Sequence, residues 1–440
     1  MNVTTLRTKA ENQLREQFDD AATRLPGTGW VTTLRQNAIA AFAADGLPHR
    51  RVEEWKYTDL RERLRDVPAP VAASSKAVTT GDLDRALGPL AALDAERIVL
   101  VDGVYRADLS KITADAQVIE LMSLAAMLAK APGWLEAKFA NDSGAVTALN
   151  RAFMTDGVML KVRKDQTAPR PILLVHARAA ADASAIAVRN VISLEAGAKL
   201  TLIEAHIALE GAATGNLTNA VTDVTVADGA ACDHIKSFVD GAGSTHLSTW
   251  TTRIGKDASY RGFQLTASPA LARNDINITF AGEGGKLDLS GAFLARGSEH
   301  IDTTLVVDHA VPSCESRELF KGVLDGRAHG VFQGKIIVRP DAQKTDGKQM
   351  SQALMLSPDA QFSSKPELEI YADDVVCGHG ATCTEIDGDL MFYCRSRGIS
   401  PDIARAMLTE SFVGEAIEKI ENEAVREAVS TLAIDWLRAG

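Results

Sequence analysis

The chain has 440 residues, which corresponds to two or three domains at about 150 residues per domain. Its composition, 46% hydrophobic and 24% charged, excludes a chain that is disordered throughout. A net charge of −11 argues against general binding of nucleic acid. Five cysteines are too few, and too odd a set, for a disulfide scaffold.

The N-terminal end and the apolar runs predict where the protein resides. Residues 1–11 are polar and charged, and they lack the apolar segment of a secretory signal. The longest nearly apolar run, residues 121–129, is far shorter than the roughly 20 residues that span a bilayer. We therefore expect a cytoplasmic protein with reduced thiols and no membrane partner.

Residues 1–150 have mainly helical periodicity and form the first predicted domain. Residues 98–106 interrupt this pattern, because β-branched residues flank Asp102-Gly103, and they predict a short hairpin. A helical pattern returns over residues 119–140. The N-terminal domain is thus predicted to be helical around one hairpin.

The second predicted domain, residues 151–395, has the periodicity of short strands separated by Gly, Asp and Asn. So many short strands predict a sandwich, a barrel, a propeller or a solenoid. A turn pattern also recurs, in which an acidic or Gly turn is followed by a small residue and an extended run. Its copies begin at Glu195, Ala227, Gly255, Gly282, Arg339 and Ser357.

The spacing of these turns favours two interpretations equally. The first intervals are 32, 28 and 27 residues, and the next, 57 residues, is about twice as long. A β-helical solenoid would explain the interval, since small residues are needed where successive coils stack closely. Unrelated β-hairpins that share common turn residues are the alternative.

The third predicted domain, residues 396–440, is helical again. Ser400 is a predicted N-cap, Pro401 takes the favoured first helical position, and Asp402 complements the helix dipole. Such helices would either cover the open end of a solenoid or bind a partner.

The strongest candidate for chemistry is the segment YADDVVCGHGATC, residues 371–383. Side chains alternate along a strand, so Cys377, His379 and Cys383 are predicted to share one face. Thiolate and imidazole ligands suit iron, zinc or copper. Without a second pair of ligands, however, the pattern alone favours a buried cysteine and a hydrogen-bonded core histidine.

The remaining candidates carry weaker signals. Cys232, Cys314 and Cys394 are predicted to be small apolar fillers. No phosphate-binding loop of the GxxxxGK[ST] type occurs, so we expect the chain to bind no nucleotide directly. Residues 47–60 concentrate charge around Trp55 and predict either a contact surface or a corner in which the tryptophan packs inward.

Several segments together are similar to a known family. They are RRVEEWKYTDL at residues 50–60, the block from Lys344 to Asp374, VVCGHGAT at residues 375–382 and FYCRSRGI at residues 392–399. The chain resembles the SufB/SufD family of the SUF iron–sulfur cluster assembly machinery. The Trp-Lys-Tyr-Thr run favours the D branch of that family, whereas Phe-Tyr-Cys394 resembles the B branch.

The resemblance implies a mainly β fold, with a right-handed parallel β-helix core flanked by N-terminal and C-terminal helical regions. It implies a non-catalytic scaffold subunit rather than an enzyme. The subunit would pair with SufB through the β-helix edge near residues 377–392 and would dock the SufC ATPase on its C-terminal helices. A nascent iron–sulfur cluster would form at the interface with SufB.

The motif match assigns His379, and with it Cys377, as this chain's metal ligands in that transient, shared cluster. It assigns no role to Cys383 or Cys394. Two other functions stay open beside it. One is a β-helix carbohydrate-active enzyme, against which the 5% aromatic content counts. The other is a structural homodimer that pairs through its own exposed edge.

Overall fold

The computed structural model describes residues 7–71, 77–139, 144–239, 241 and 243–439. Its helices lie mainly towards the two ends of the chain. They are α1 Lys9–Ala21, α2 Trp30–Asp45, α3 Leu60–Arg63, α4 Thr80–Leu87, α5 Leu124–Lys130, α6 Gly133–Glu136, α7 Ala145–Phe153, α8 Gly388–Ser396, α9 Pro401–Ile417 and α10 Glu423–Arg438. Short 3-10 helices cover Glu53–Trp55, Gly88–Ala92 and Ala137–Phe139. None of the helices in these described ranges is both long and apolar enough to cross a membrane.

The strands form two long sheets. Sheet B contains β1 Glu96–Val101, β2 Val104–Tyr105, β5 Ile172–Arg178, β7 Lys199–Ala208, β9 Ala231–Val239, β11 Ser259–Ala267, β13 Lys286–Ala295, β15 Glu315–Leu324, β17 Asp346–Met355 and β19 Val376–Thr384. Sheet A contains β3 Ile119–Ser123, β4 Val158–Val162, β6 Ala185–Leu194, β8 Leu217–Val226, β10 Thr245–Ile254, β12 Leu271–Phe280, β14 His300–His309, β16 His329–Val338 and β18 Gln361–Ile370.

Successive strands of each sheet run parallel and in register from β4 and β5 onwards. Trp250 of β10, for example, aligns with Thr222 of β8 on one side and with Ile276 of β12 on the other. Because parallel neighbours are separated in the chain by a strand of the opposite sheet, the chain winds as a β-helix. The predicted parallel β-helix with helices at both ends is therefore confirmed. The predicted hairpin is also present, since Leu100 of β1 pairs antiparallel with Tyr105 of β2.

The recurring turns form corners of this β-helix. Ala198 and Ala230, the small residues of the first two copies, are buried where the chain enters a strand of sheet B. The turns stack directly, because the Gly197 N–H donates to the Asp228 carbonyl at 2.9 Å. A larger side chain would separate the coils, which explains why the pattern needs a small residue.

The long interval in the repeat contains one further corner. Cys314 is buried where the chain passes from β14 to β15, in the place that alanine takes elsewhere. The copy at Ser357 belongs to the opposite corner, between β17 and β18. Cys232 is buried among the apolar side chains of the interior. Cys232 and Cys314 are thus the small apolar fillers that the sequence predicts.

The helices cover the outer faces of the two sheets. Val413 and Ile417 of α9 and Val429 of α10 pack against outward-facing side chains of sheet B. On sheet A, the N-terminal helices α1, α2 and α7 pack against outward-facing leucines such as Leu247 and Leu271. The helices therefore leave the C-terminal edge of the β-helix for other contacts.

The element boundaries differ from the prediction in three places. Residues 119–123 form β3 rather than a helix, because they pair antiparallel with β4. The strands β1 to β3 lie inside the predicted helical region 1–150. Of these, β1 and β2 belong to sheet B and β3 belongs to sheet A. Helical structure resumes at Gly388, ahead of the predicted boundary at residue 396. The division into three domains itself stays a prediction.

Candidate functional site

The C-terminal end of the β-helix exposes the last strand of each sheet. Within the described residues, β19 pairs only with β17 and β18 only with β16. Apolar side chains at this end, including Ile370, Tyr371 and Val376, are exposed. A terminal strand of this kind presents unpaired backbone N–H and C=O groups. The end is therefore available to a strand of a partner.

The three candidate side chains lie on one face of β19, as predicted. The register places Cys377, His379 and Cys383 beside the buried Gly347, Gln349 and Ala353 of β17. They therefore continue the inward-facing rows of the β-helix, but at its open end. Cys377 is half-buried, whereas His379 and Cys383 are exposed. His379 is thus not the buried core histidine that the pattern alone favoured.

The environment of Cys377 suppresses its thiolate in the unloaded chain. Burial raises the pKa of the Cys377 thiol, and the negative charge of Asp346 raises it further, as does Glu318 once its carboxyl is ionised. A hydrogen bond from the Gly347 backbone lowers the pKa only in part. Because a metal ion replaces the thiol proton when it binds, Cys377 would become a ligand only when a cation arrives.

Sequence reasoning missed a buried carboxyl group two strands behind His379. Glu318 of β15 aligns with Gln349 of β17, which aligns with His379 of β19. Glu318 is 3% exposed, and neither of its carboxylate oxygens has a hydrogen-bond partner among the described residues. Burial raises the pKa of Glu318 to about 8, so the carboxyl is mainly protonated at neutral pH. Phe320, two positions further along the strand, shares the face of Glu318, and this alternation was the signal that could have placed Glu318 in the interior of the β-helix.

A groove of about 460 Å³ lies beside Cys377 and His379. Three cationic side chains line it, namely Arg317, Lys348 and Lys419. Two of them share one carboxylate, because Asp346 lies 2.6 Å from Arg317 and 3.5 Å from Lys348. The third, Lys419, lies 4.0 Å from Asp288, which also lines the groove. Three cations thus face two aspartates, a small positive excess that suits a polar or acidic partner surface.

Two family models match the chain. The model described as "SUF system FeS cluster assembly, SufBD core domain" covers residues 176–412, which is more than half of the chain. The model described as "SufBD protein N-terminal region" covers residues 8–174. The chain belongs to the SufBD family. Its candidate residues on β19 lie inside the matched SufBD core.

Curated relatives place this SufBD protein in iron–sulfur cluster assembly. The iron–sulfur cluster assembly protein SufD of Escherichia coli is 29% identical over 397 residues, which cover 90% of each chain. A SufBD family protein of Synechocystis is 29% identical over 400 residues, covering 88% of this chain and 86% of the relative. One from Mycobacterium tuberculosis is 37% identical over 207 residues, covering 45% and 52%. The chain is thus a SufD homologue of the SUF system.

The charged aromatic segment at residues 47–60 lies in the SufBD N-terminal region and packs on sheet A. Trp55 is 9% exposed, and the Arg273 guanidinium lies 4.3 Å from the centre of its ring. Arg273 and Gln333 both donate hydrogen bonds to the Glu54 carbonyl, at 2.9 and 3.0 Å. The inward-packed corner, rather than a free contact surface, is therefore the correct interpretation of Trp55.

Helix α8 continues the exposed end of the SufBD core. None of its residues is buried, and Leu390, Phe392 and Tyr393 are largely exposed. Cys394 is half-buried on this helix. It is therefore not the core filler that the sequence predicts, because α8 packs no face into the core.

Helix α9 begins as the sequence predicts. The Ser400 side chain accepts a hydrogen bond from the Ile403 N–H at 3.4 Å, and Pro401 occupies the first turn. One face of α9 packs on sheet B, whereas Ile403 and Met407, one turn apart, are 57% and 49% exposed. This pair is an apolar surface on a helix whose other face already serves the core.

Proposed function

We propose that this chain is a non-catalytic scaffold subunit of the SUF complex. It pairs with a SufB subunit through β19 and the segment that follows to residue 392, and a nascent iron–sulfur cluster forms between the two chains. The cluster is the product that the complex releases, and it is not a resident cofactor. The exposed imidazole of His379 beside the half-buried thiol of Cys377, on an unpaired terminal strand, carries this proposal.

The ligand count supports a shared site. Iron–sulfur clusters are generally held by four protein ligands. Cys232 and Cys314 are buried in the core, so they contribute nothing to the open end of the β-helix. Cys383 shares the face of Cys377 but lies about 20 Å further along the extended strand β19, too far to bind the same cluster. His379 and Cys377 would supply part of the set, and the partner would supply the remainder. A ligand set that contains an imidazole and is divided between two chains binds a cluster less firmly than four thiolates of one chain, which favours its release.

Replacing His379 tests the proposed site. We expect His379→Ala to lower the cluster yield of the reconstituted complex with SufB and SufC at least about tenfold, because a ligand is lost. Iron and acid-labile sulfide per complex are the measurements. Thr382→Ala, an exposed change on the opposite face of β19, should leave the yield unchanged. Full yield from His379→Ala in an intact complex would contradict the proposal.

We further propose that the C-terminal helices bind the SufC ATPase, so that nucleotide is bound by SufC and not by this chain. The exposed pair Ile403 and Met407 supports this docking, because the buried face of α9 is already occupied by sheet B. Apolar side chains one turn apart are the usual anchors of a helix in a partner's groove.

Introducing charge at Ile403 and Met407 should prevent docking and should leave the helix folded. We expect the double variant Ile403→Glu and Met407→Glu to weaken SufC binding by at least about 2 kcal/mol, because two apolar anchors become charged. A pull-down followed by calorimetry measures the loss. Arg405→Glu, exposed on another face of α9, should bind like the wild type. Unchanged binding by the double variant would refute the assignment of α9.

A further inference from the structure

A group of polar side chains interrupts the apolar interior in the early coils of the β-helix. His176, Glu204 and Lys236 extend inward from β5, β7 and β9. His206 aligns with His176, and His234 lies on the next inward row, where it aligns with Leu202. Each of these side chains belongs to a residue that is at most 4% exposed. They lie several coils away from β19, so the proposed cluster site does not use them.

The Glu204 carboxylate is the centre of this group. Its Oε1 lies 2.9 Å from His206 Nε2 and 3.2 Å from Lys236 Nζ. Its Oε2 lies 3.4 Å from His234 Nε2 and accepts a hydrogen bond from the Thr222 hydroxyl at 2.9 Å. One carboxylate is thus surrounded by imidazoles and by a single ammonium group.

Three of these residues have their donor atoms close together. One ligand atom each from His176, Glu204 and His206 lies within 4.8 Å of the other two. Ligands of one tetrahedral ion lie about 3.3 Å apart, given metal–nitrogen distances of about 2.0 Å. Side-chain rotations that close a gap of at most about 1.5 Å would bring the three donors onto one ion.

One ring nitrogen in the group, His176 Nδ1, has no hydrogen-bond partner among the described residues. A second, His234 Nε2, faces Glu204 Oε2 at 3.4 Å, which is longer than an ordinary N–H···O hydrogen bond. The opposite nitrogens are held in place, because His234 Nδ1 lies 2.9 Å from the Tyr260 hydroxyl and His176 Nε2 lies 3.2 Å from the Asn190 amide. A buried imidazole held on one nitrogen and unpartnered on the other is the usual arrangement of a metal ligand.

We propose that this cluster, the Glu204 cluster, binds one divalent transition-metal ion through Glu204, His176 and His206, with His234 as a fourth ligand. The Lys236 ammonium takes the place of the ion in the metal-free chain. Imidazole and carboxylate ligands in this ratio suit Zn²⁺, Co²⁺ and Fe²⁺. This proposal is independent of the cluster site at His379.

The position of the Glu204 cluster determines how the ion would enter. Because the cluster is fully buried, the ion must bind before the early coils close, during folding. An ion that the folded chain holds more tightly than the unfolded chain stabilises the fold, as structural zinc does in small domains. Metal retention after refolding and a rise in melting temperature are therefore the two readouts, and neither depends on cluster assembly.

The experiment uses the full chain. It is unfolded with a chelator, refolded with Zn²⁺ or Co²⁺ alone, and desalted before metal analysis. We expect wild-type chains to retain one ion each, to show the visible absorption of four-coordinate Co²⁺, and to melt at a higher temperature than metal-free chains. Glu204→Gln should retain no ion and should show neither the absorption nor the rise in melting temperature. Wild-type chains that retain no ion, or Glu204→Gln chains that retain as much as the wild type, would overturn the proposal.

Two further variants separate metal binding from effects on folding. Glu318→Gln makes the same change at another buried glutamate of the interior, and it should still retain one ion. Lys236→Met removes the competing cation, so it should bind Co²⁺ at least about tenfold more tightly than the wild type. Weaker binding by Lys236→Met, or loss of the ion in Glu318→Gln, would count against the Glu204 cluster as the site.

Discussion

At the scale of single residues, burial determines which titratable groups depart from their usual chemistry. Burial raises the pKa of Glu318 from 4.5 to about 8, and the nearby Ser316 hydroxyl and Arg317 offset this only in part. Between these two pKa values the folded chain keeps a proton that the unfolded chain has released. Each pH unit in that interval therefore lowers the free energy of unfolding by about 1.4 kcal/mol.

Glu318→Gln should remove this pH dependence. Glutamine is neutral at every pH, so between pH 6 and pH 8 the wild type should lose about 2 kcal/mol more stability than the variant. Denaturant unfolding at the two pH values measures the difference. Glu315→Gln, exposed on the same strand, is the control and should follow the wild type. A variant with the wild-type slope would show that Glu318 is already ionised at pH 6.

At the scale of elements, the segment around Trp55 is part of the sheet A structure. Arg273, which covers the Trp55 ring, is itself held by Asp275 at 2.7 Å and Asp302 at 2.6 Å. Thr58 is buried and lies 2.8 Å from His300 Nε2 of β14. The density of charge and aromatic residues in this segment is therefore explained by packing on β12, β14 and β16.

Truncating Trp55 should destabilise the whole chain. We expect Trp55→Ala to lower the free energy of unfolding by about 3 kcal/mol, through lost burial and the lost contact with Arg273. The neighbouring Tyr57 is only half-buried, so Tyr57→Ala should cost about 1 kcal/mol. Denaturant unfolding of both variants is the measurement. Equal losses would show that the ring of Trp55 has no special place in the packing.

At the scale of the whole molecule, the β-helix is closed along its length and open at its C-terminal end. The Val376 N–H donates to the carbonyl of Thr345, the residue before β17. Backbone groups alternate in direction along a strand, so those of His379 and Ala381 point away from β17. These groups would pair with a strand of SufB, or with a second copy of the chain when SufB is absent.

A proline at the free edge should block pairing and spare the fold. Ala381→Pro removes an N–H that bonds nothing in β17, so we expect stability to change by less than about 1 kcal/mol. Binding to SufB, and any self-association, should be lost in sedimentation experiments. Ala381→Ser keeps the N–H at the same position and should pair normally. Normal pairing by Ala381→Pro would falsify the assignment of this edge.

The sequence by itself determined the features that depend on neighbouring residues. Strand alternation placed Cys377 and His379 on one face of β19, and the Ser400 cap marked the start of α9. The recurring turns were equally compatible with stacked coils and with unrelated hairpins, and the family resemblance decided for the coils. The match of the β19 segment to a family motif then identified the residues of the proposed cluster site.

Only the tertiary structure decided which distant residues meet. Glu318 lies behind His379 although 61 positions separate them in the chain. Glu204 meets Lys236, and His176 meets His206, only because adjacent coils align these positions. The alternation of side chains along a strand shows which of them face inward. The register between coils determines which inward side chains become neighbours, and this register depends on the length of every corner and loop.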